Sequence, residues 1–436
     1  DLNNIGRLGR VWFGESFSSD NEQEFDLRFE NIVTTIPATI EIHVGGNSFV
    51  ATNFNIKANT QDIGTLTLNP VPLNSGLEAS RNTLITNIPS SEEFKINLTY
   101  DNGGVPASKG FLDYIIIRAK RNLVGYNKQF RFQYNAANST PGIGEYVISN
   151  ASNINQVWDI TDIFNTSKIS NSGAATFSFK GDLGEIRKYI AIDPNDYYTP
   201  LKEAKSAVAN QNIKGTIFKD AAGNFKDIDY LIITPSAFNS QAEKLATFHR
   251  NYSQLNVKVV NLENIYQEFS SGKQDIAAIR NLVKYVYDNA SSPSNRIKYL
   301  NLFGDASYDF KNRIPGNTNI VPIYHATNSY FSGESSFCSD DFFALMDSNE
   351  GDVEVTNGGI DIAVGRMLVS SASQADEMVN KVIEYHDLKS YGSWRNNYVS
   401  ISDDSDKVPD ATLQVRQNSL TDEIHAEKPF INFKKI

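Results

Sequence analysis

The chain has 436 residues, enough for two or three domains, each with its own core. A formal net charge of -11 argues against a nucleic-acid partner, which needs a clustered basic face. No apolar run approaches the roughly eighteen residues of a membrane-spanning helix, and the single cysteine, Cys338, excludes an internal disulfide framework.

From Asp1 to about Asn195 the sequence alternates apolar and polar residues in short runs separated by Asn, Gly and Ser. The segments 24–29, 39–44, 94–100, 130–134 and 175–180 all follow this period of two, which predicts half-exposed antiparallel strands. Asn102-Gly103-Gly104 and Ser172-Gly173 supply turns between them. The expectation for residues 1–195 is therefore an all-β sandwich of jelly-roll or immunoglobulin-like kind. Its aromatics, Trp12, Phe13, Tyr114 and Trp158 among them, are of a type that lines carbohydrate or peptide grooves, but core packing is the expected role. His43 sits at an alternating strand position without a second His or Cys nearby, so it is not expected to hold a metal.

Residues 196–226 change texture and read as the crossing to a second domain. The segment 229–313 then reads as a βαβαβ run. Tyr230–Thr234 is a short apolar strand, and residues 240–255 carry a helical stripe of Ala242, Leu245, Ala246 and Phe248. Val257–Val260 is β-branched. A second helix starts near Gln274 with Ile276, Ile279, Leu282, Val283 and Val286 on one face, and a third strand, 297–303, runs into Gly304-Asp305. Two successive crossovers imply a parallel sheet with helices on its faces, whose working crevice lies at the carboxyl ends of the strands.

Beyond this run, Val321–Tyr324 and Asp361–Met367 read as extended. Residues 374–388 read as a helix capped by Ser373. A new unit opens with strand 397–402 and the acidic loop Asp403–Asp406, then a helix over 410–426 and a strand over 430–433. The α/β region is thus expected to divide into 227–392 and the beginning of a second layer, 393–436, and the chain is expected to be a piece of a longer protein.

Three clusters could carry chemistry. His325 and Cys338 offer a thiol and an imidazole, but Phe337, Phe342 and Phe343 around the cysteine predict a buried, inert thiol. Residues 347–354 supply oxygen ligands of the type calcium prefers, without the spacing of an EF-hand, so a solvated turn is expected. Asp305 and Asp309 either face a substrate or cap the turn that follows. Phosphate-binding glycine motifs and the GxSxG nucleophile elbow are absent.

Several stretches carry a family resemblance: 264–280 (NIYQEFSSGKQDIAAIR), 302–313 (LFGDASYDFKNR), 339–343 (SDDFF) and 361–366 (DIAVGR). Upstream, 110–117, 157–162 and 183–190 add to it. Together they resemble the gingipain-like cysteine peptidases, in the branch that serves as sortase of the type IX secretion system of Bacteroidota. The resemblance implies a multidomain chain, with an all-β sandwich followed by an incomplete caspase-like α/β domain. It implies a cysteine endopeptidase and transpeptidase at the cell surface, associated with the outer membrane. That enzyme removes the C-terminal signal domain of secreted cargo through a thioester and passes the cargo to anionic lipopolysaccharide or water.

The implied partners are the outer-membrane shuttle protein PorV, other attachment-complex proteins and the cargo itself. No cofactor is required, although family members bind calcium. The family's catalytic His stands in a Gly-His-Gly motif and its Cys follows a later strand. His325 and Cys338 match neither context, so both catalytic residues are expected beyond Ile436. Within the chain, Val399–Asp404 resembles the strand and loop bearing the acid that supports the histidine, and Asp404 is the matching residue. The rival reading is a non-catalytic scaffold that docks cargo or the shuttle protein.

Overall fold

The structure is a computed structural model, and it describes residues 1–72, 79–202, 207–208, 210–327, 336–351, 353–354, 359–402 and 408–436. The chain divides into two units: Asp1–Asn210 with the excursion His325–Cys338, and Gln211–Tyr324 with Ser339–Ile436. The first boundary falls between Asn210 and Gln211. The excursion belongs to a unit far away in sequence, which local patterning does not reveal.

The first unit opens with eight strands: β1 (Ser16–Phe17), β2 (Glu22–Arg28), β3 (Ala38–Asn47), β4 (Thr52–Ala58), β5 (Gln61–Leu68), β6 (Ser80–Ile88), β7 (Glu93–Asp101) and β8 (Lys109–Arg118). They form two four-stranded antiparallel sheets, β1-β8-β3-β6 and β2-β7-β4-β5. Strict alternation creates the core between them. Ile40, Ile42 and Val44 of β3 and Leu112 of β8 face Phe54 and Ile56 of β4 and Phe94, Ile96, Leu98 and Tyr100 of β7. The turn at Asn102-Gly103-Gly104 connects β7 to β8, with both glycines at positive φ (64° and 78°).

Residues expected to continue this sandwich instead build a second β body with its own core. Its strands are β9 (Phe130–Gln133), β10 (Ile143–Ile148), β11 (Gln156–Asp159), β12 (Ser167–Ser170), β13 (Phe177–Asp182) and β14 (Lys188–Ile192). They make a β12-β11-β14-β9 sheet and a two-stranded antiparallel β10-β13 sheet around Phe130, Ile148, Val157, Phe179 and Tyr189. Asn171 ties its turns together, donating from Nδ2 to the carbonyls of Ala151, Ile154 and Ala174.

Trp12 and Phe13 are buried as expected, but Trp158 is 39% exposed and donates to Gln156. It occupies an outward position of β11, where the period of two overrides the aromatic preference for burial. His43 is buried against Asp113, with Nδ1 2.8 Å from its carboxylate, and stacks on Tyr114.

In the second unit, α1 (Ile213–Thr216) precedes β15 (Tyr230–Thr234), α2 (Asn239–Tyr252), β16 (Val257–Asn261), α3 (Leu262–Phe269), α4 (Ile276–Asp288) and β17 (Tyr299–Phe303). Then come β18 (Tyr324–His325) and β19 (Cys338–Ser339), at the two ends of the excursion assigned to the first unit, followed by β20 (Ala363–Met367), α5 (Ala372–His386), β21 (Asn397–Ser400), α6 (Val408–Glu427) and β22 (Asn432–Lys435). The central sheet is wholly parallel, in the order β16-β15-β17-β20. On one face, Ile232, Val257 and Phe303 pack against Ala242, Leu245 and Ala246 of α2 and Ala375 and Val379 of α5.

The chain moves from β15 to β16 in one direction and then back past β15 to β17. Right-handed crossovers consequently place α3 and α4 on the opposite face. Leu231, Ile233, Leu300 and Leu302, all buried, point that way, as does the buried stripe Ile279, Leu282, Val283 and Val286 of α4.

Three boundaries differ from expectation. Helix α3 was not predicted; its eight residues follow β16 without a turn residue between. Helix α4 starts at Ile276 because the Asp275 carboxylate accepts from the Ala277 amide at 2.8 Å. The cap of α5 is Ser371 rather than Ser373: Ser371 has extended backbone and accepts from the Gln374 amide. Strands β21 and β22 pair parallel in a separate two-stranded sheet.

Candidate functional site

The strand order reverses at β15, which has β16 on one side and β17 on the other. The carboxyl ends of β15 and β17 therefore flank the position where α/β sheets usually hold ligands. Thr234 ends β15 fully buried, and Pro235 then turns the chain outward. Next, Ser236 donates both its amide and its hydroxyl to the Glu263 carboxylate on α3 at 3.1–3.2 Å. Both side chains are exposed at the rim.

Strand β17 ends at Phe303-Gly304. A Cβ on Gly304 would lie 2.7 Å from Val321 Cγ2 and 2.8 Å from Ile320 Cγ2, so the returning loop packs directly on its α-carbon. Asp305 fastens that loop, since its carbonyl accepts from the amides of Ile320 and Val321. Its side chain turns back to the Ala306 amide. Asp309 is 1% exposed and accepts from the amides of Arg313 and Ile314 at 3.0 and 2.7 Å. Of the two roles open to this pair, loop capping is the one the geometry supports.

The centre of the rim is an ion pair to which sequence reading assigned no role. Arg366 lies near the end of β20 with a side chain only 6% exposed. Its Nε and Nη2 donate to the two oxygens of Asp340 at 2.9 and 2.7 Å. Nη1 donates to the carbonyls of Gly304 and Val321, and Nη2 also donates to Pro322. All five guanidinium donors are engaged, the fork geometry that lysine cannot reproduce. The signal was present in the sequence: an arginine amid Ala363, Val364 and Met367 in a short strand needs buried partners.

The acidic turn beginning at Asp347 receives basic side chains. Arg280 of α4 donates to the carbonyls of Leu345 and Glu350 at 2.7 and 3.2 Å, and Lys284 donates to Met346 at 2.6 Å. Burial lowers the Arg280 pKa, opposed by the Glu350 charge. Among the described residues no group of three or more His, Cys, Asp or Glu side chains is placed to hold a metal ion. Arg280 and Lys284 therefore already hold the carbonyls of residues 345, 346 and 350.

His325 and Cys338 lie on β18 and β19, which pair with each other as a two-stranded ribbon. His325 is 4% exposed. The burial expected for Cys338 is not found: the thiol residue is exposed, while Phe342 and Phe343 turn inward without it. Phe342 stacks on Tyr324, so the aromatic cluster is completed by the neighbouring strand. Asp404, the expected supporting acid, lies outside the described residues.

Residues 224–436 match the model of Peptidase family C25. Among solved structures, the chain is similar to that of dimeric latent PorU from Porphyromonas gingivalis. The identity is 23% and the TM-score 0.76, over 90% of this chain and 38% of that one. The chain thus spans well under half the length of that relative. A family 36 carbohydrate-binding module from the hindgut metagenome of Trinervitermes trinervoides matches at 12% identity over 25% of this chain and 87% of its own. A second such module, in complex with calcium and xylotriose, matches at 12% over 26% and 95%. Both have a TM-score of 0.18 and carry no argument. No curated protein matches the chain.

Proposed function

We propose, on the premise that residues 224–436 belong to Peptidase family C25, that the chain is the N-terminal portion of a cell-surface sortase of the type IX secretion system. The family match carries this reading; the likeness to PorU supports the same arrangement of β region and α/β scaffold. In the whole protein a cysteine thiolate attacks the carbonyl carbon before the C-terminal signal domain of secreted cargo. The C–N bond breaks, the amine leaves with a proton, and the cargo is held as a thioester. An amine on anionic lipopolysaccharide, or water, then takes the acyl group and releases the thiolate.

In this reading the reactive Cys and His belong to a part of the protein outside this chain. The residues described here frame the rim on which that part completes the site. Arg366 with Asp340 fixes the ends of β17 and β20, and Asp305 and Asp309 set the loop between them. Asp404 is the acid proposed to orient the histidine. The partners follow from the same reading: the shuttle protein PorV, attachment-complex proteins and cargo, at the outer-membrane surface.

The test is cleavage of a cargo protein bearing its signal domain. The whole enzyme carrying Cys338→Ala should cleave at the wild-type rate, and the isolated 436-residue chain should not cleave at all. Loss of cleavage in Cys338→Ala, with folding retained, would move the nucleophile to the β18–β19 ribbon. A whole protein without cleavage that still binds cargo would instead be a docking scaffold.

A further inference from the structure

The amino-terminal half of the parallel sheet holds a feature that the proposed function leaves unused. A cavity of about 620 Å³ lies along β20, on the face covered by α2 and α5, and falls within the size range of ligand pockets. Tyr230, His249, Leu255, Tyr299 and Asn301 line it. Its opening arises from two small residues. Ala363 and Gly365 sit on this face of β20, and a Cβ built on Gly365 meets no atom within 4 Å.

The same strand ends the sheet among the described residues. Ala363 and Met367 spend their backbone groups on the β17 side: the Ala363 amide donates to Lys298, and the Met367 carbonyl accepts from Gly304. Alternation turns the N–H and C=O of Val364 and Arg366 to the outer side. An open edge therefore runs beside a cavity that is vacant at alternate side-chain positions.

Charge then selects the occupant. The guanidinium of Arg366 is fully engaged with Asp340 and three carbonyls, and no carboxylate lines the cavity. Burial holds His249 toward its neutral form. The complement is a neutral, bulky side chain presented by extended backbone. We infer that β20 binds an extended peptide segment as an added strand, seating an aromatic or large apolar side chain of that segment over Gly365. Main-chain hydrogen bonds to Val364 and Arg366 give the affinity, and the cavity gives the selectivity.

The probe is a capped neutral pentapeptide alternating threonine and phenylalanine, titrated into the chain. Affinity is read by calorimetry and location by the amide resonances of residues 363–367. Saturable binding should occur at about millimolar concentration or tighter, with the largest shifts at Val364 and Arg366. Replacing both phenylalanines by alanine should weaken it at least about tenfold, since each apolar ring loses its buried area.

Gly365→Leu fills the cavity from a position with open space around it, so the fold is kept, as circular dichroism checks. It should weaken binding by a similar factor. N-methylation of the peptide backbone should abolish the Val364 and Arg366 shifts. Absence of saturable binding, equal affinity for the alanine peptide, or indifference to Gly365→Leu would each overturn the inference. So would equal binding by N-acetylphenylalanine amide, which has the ring but no strand.

Discussion

Arg366→Met should be the most damaging single change in the α/β unit. Methionine keeps much of the volume but leaves Asp340 and the carbonyls of Gly304, Val321 and Pro322 without their donors. Breaking a buried ion pair from one side costs about 3–5 kcal/mol. Asp340 retains 18% exposure, which lets water recover part of the loss and favours the lower end, about 3 kcal/mol. Asp340→Asn keeps an acceptor for the guanidinium and should cost about 1–2 kcal/mol.

The double variant should be less damaging than the sum of the two, with a coupling of about 1–3 kcal/mol, because removing both charges leaves neither stranded. Arg366→Lys should rescue little, having one charge but no fork. The chain has two units, so a global melting curve does not yield one free energy. Native-state hydrogen exchange at the amides of β17 and β20 measures the affected region directly. A loss below about 1 kcal/mol in Arg366→Met, or strict additivity in the cycle, would refute the claim that this clamp holds the rim together.

Two further outcomes follow from named contacts. Gly304→Ala places a methyl group 2.7 Å from Val321 and should destabilise the unit by about 1–3 kcal/mol through displacement of the loop, read as a lower melting temperature of the α/β transition. His249 should make stability fall in mild acid: burial first, and repulsion from His386 second, lower its folded-state pKa below the ordinary 6.5. Below that value the unfolded chain binds the proton more readily than the folded one, so the stability from keeping His249 neutral is present above about pH 6.5 and is lost as the pH falls toward the folded pKa. Melting temperatures across about pH 5 to 7.5 should show a slope that His249→Phe reduces; an unchanged slope would place the titration elsewhere.

Sequence alone disclosed the elements whose period is unbroken. Strands β2 and β7 alternate cleanly, and the stripe of α4 has five buried apolar residues, so the sandwich and the parallel sheet were both legible. What escaped had no periodic signal. Helix α3 begins one residue after β16, and its eight residues offer barely two turns of pattern. The split of residues 1–195 into two cores depends on contacts such as Phe132 with Tyr189, which pair residues distant in sequence. Cys338 is exposed despite its aromatic neighbours because Phe342 and Phe343, in the 3-10 turn that follows, pack against each other and against Tyr324.

Three stretches that carry the family resemblance, 302–313, 339–343 and 361–366, are separated in sequence but meet at one place in space. The first supplies the Gly304 carbonyl and the Asp305 and Asp309 caps, the second supplies Asp340, and the third supplies Arg366. Each is held by hydrogen bonds to another part of the rim. The resemblance therefore resides in the frame that sets the carboxyl edge of the sheet. A frame of this kind constrains residue types as tightly as chemistry does, because a buried guanidinium accepts few substitutes. The frame brings together three stretches that lie within the match to Peptidase family C25 over residues 224–436. It also separates two kinds of variant. Substitutions at Arg366, Asp340 or Gly304 should reduce any activity of the whole enzyme through lost rim order, with hydrogen exchange rising in step. A substitution of the reactive groups themselves should abolish turnover and leave exchange at β17 and β20 unchanged.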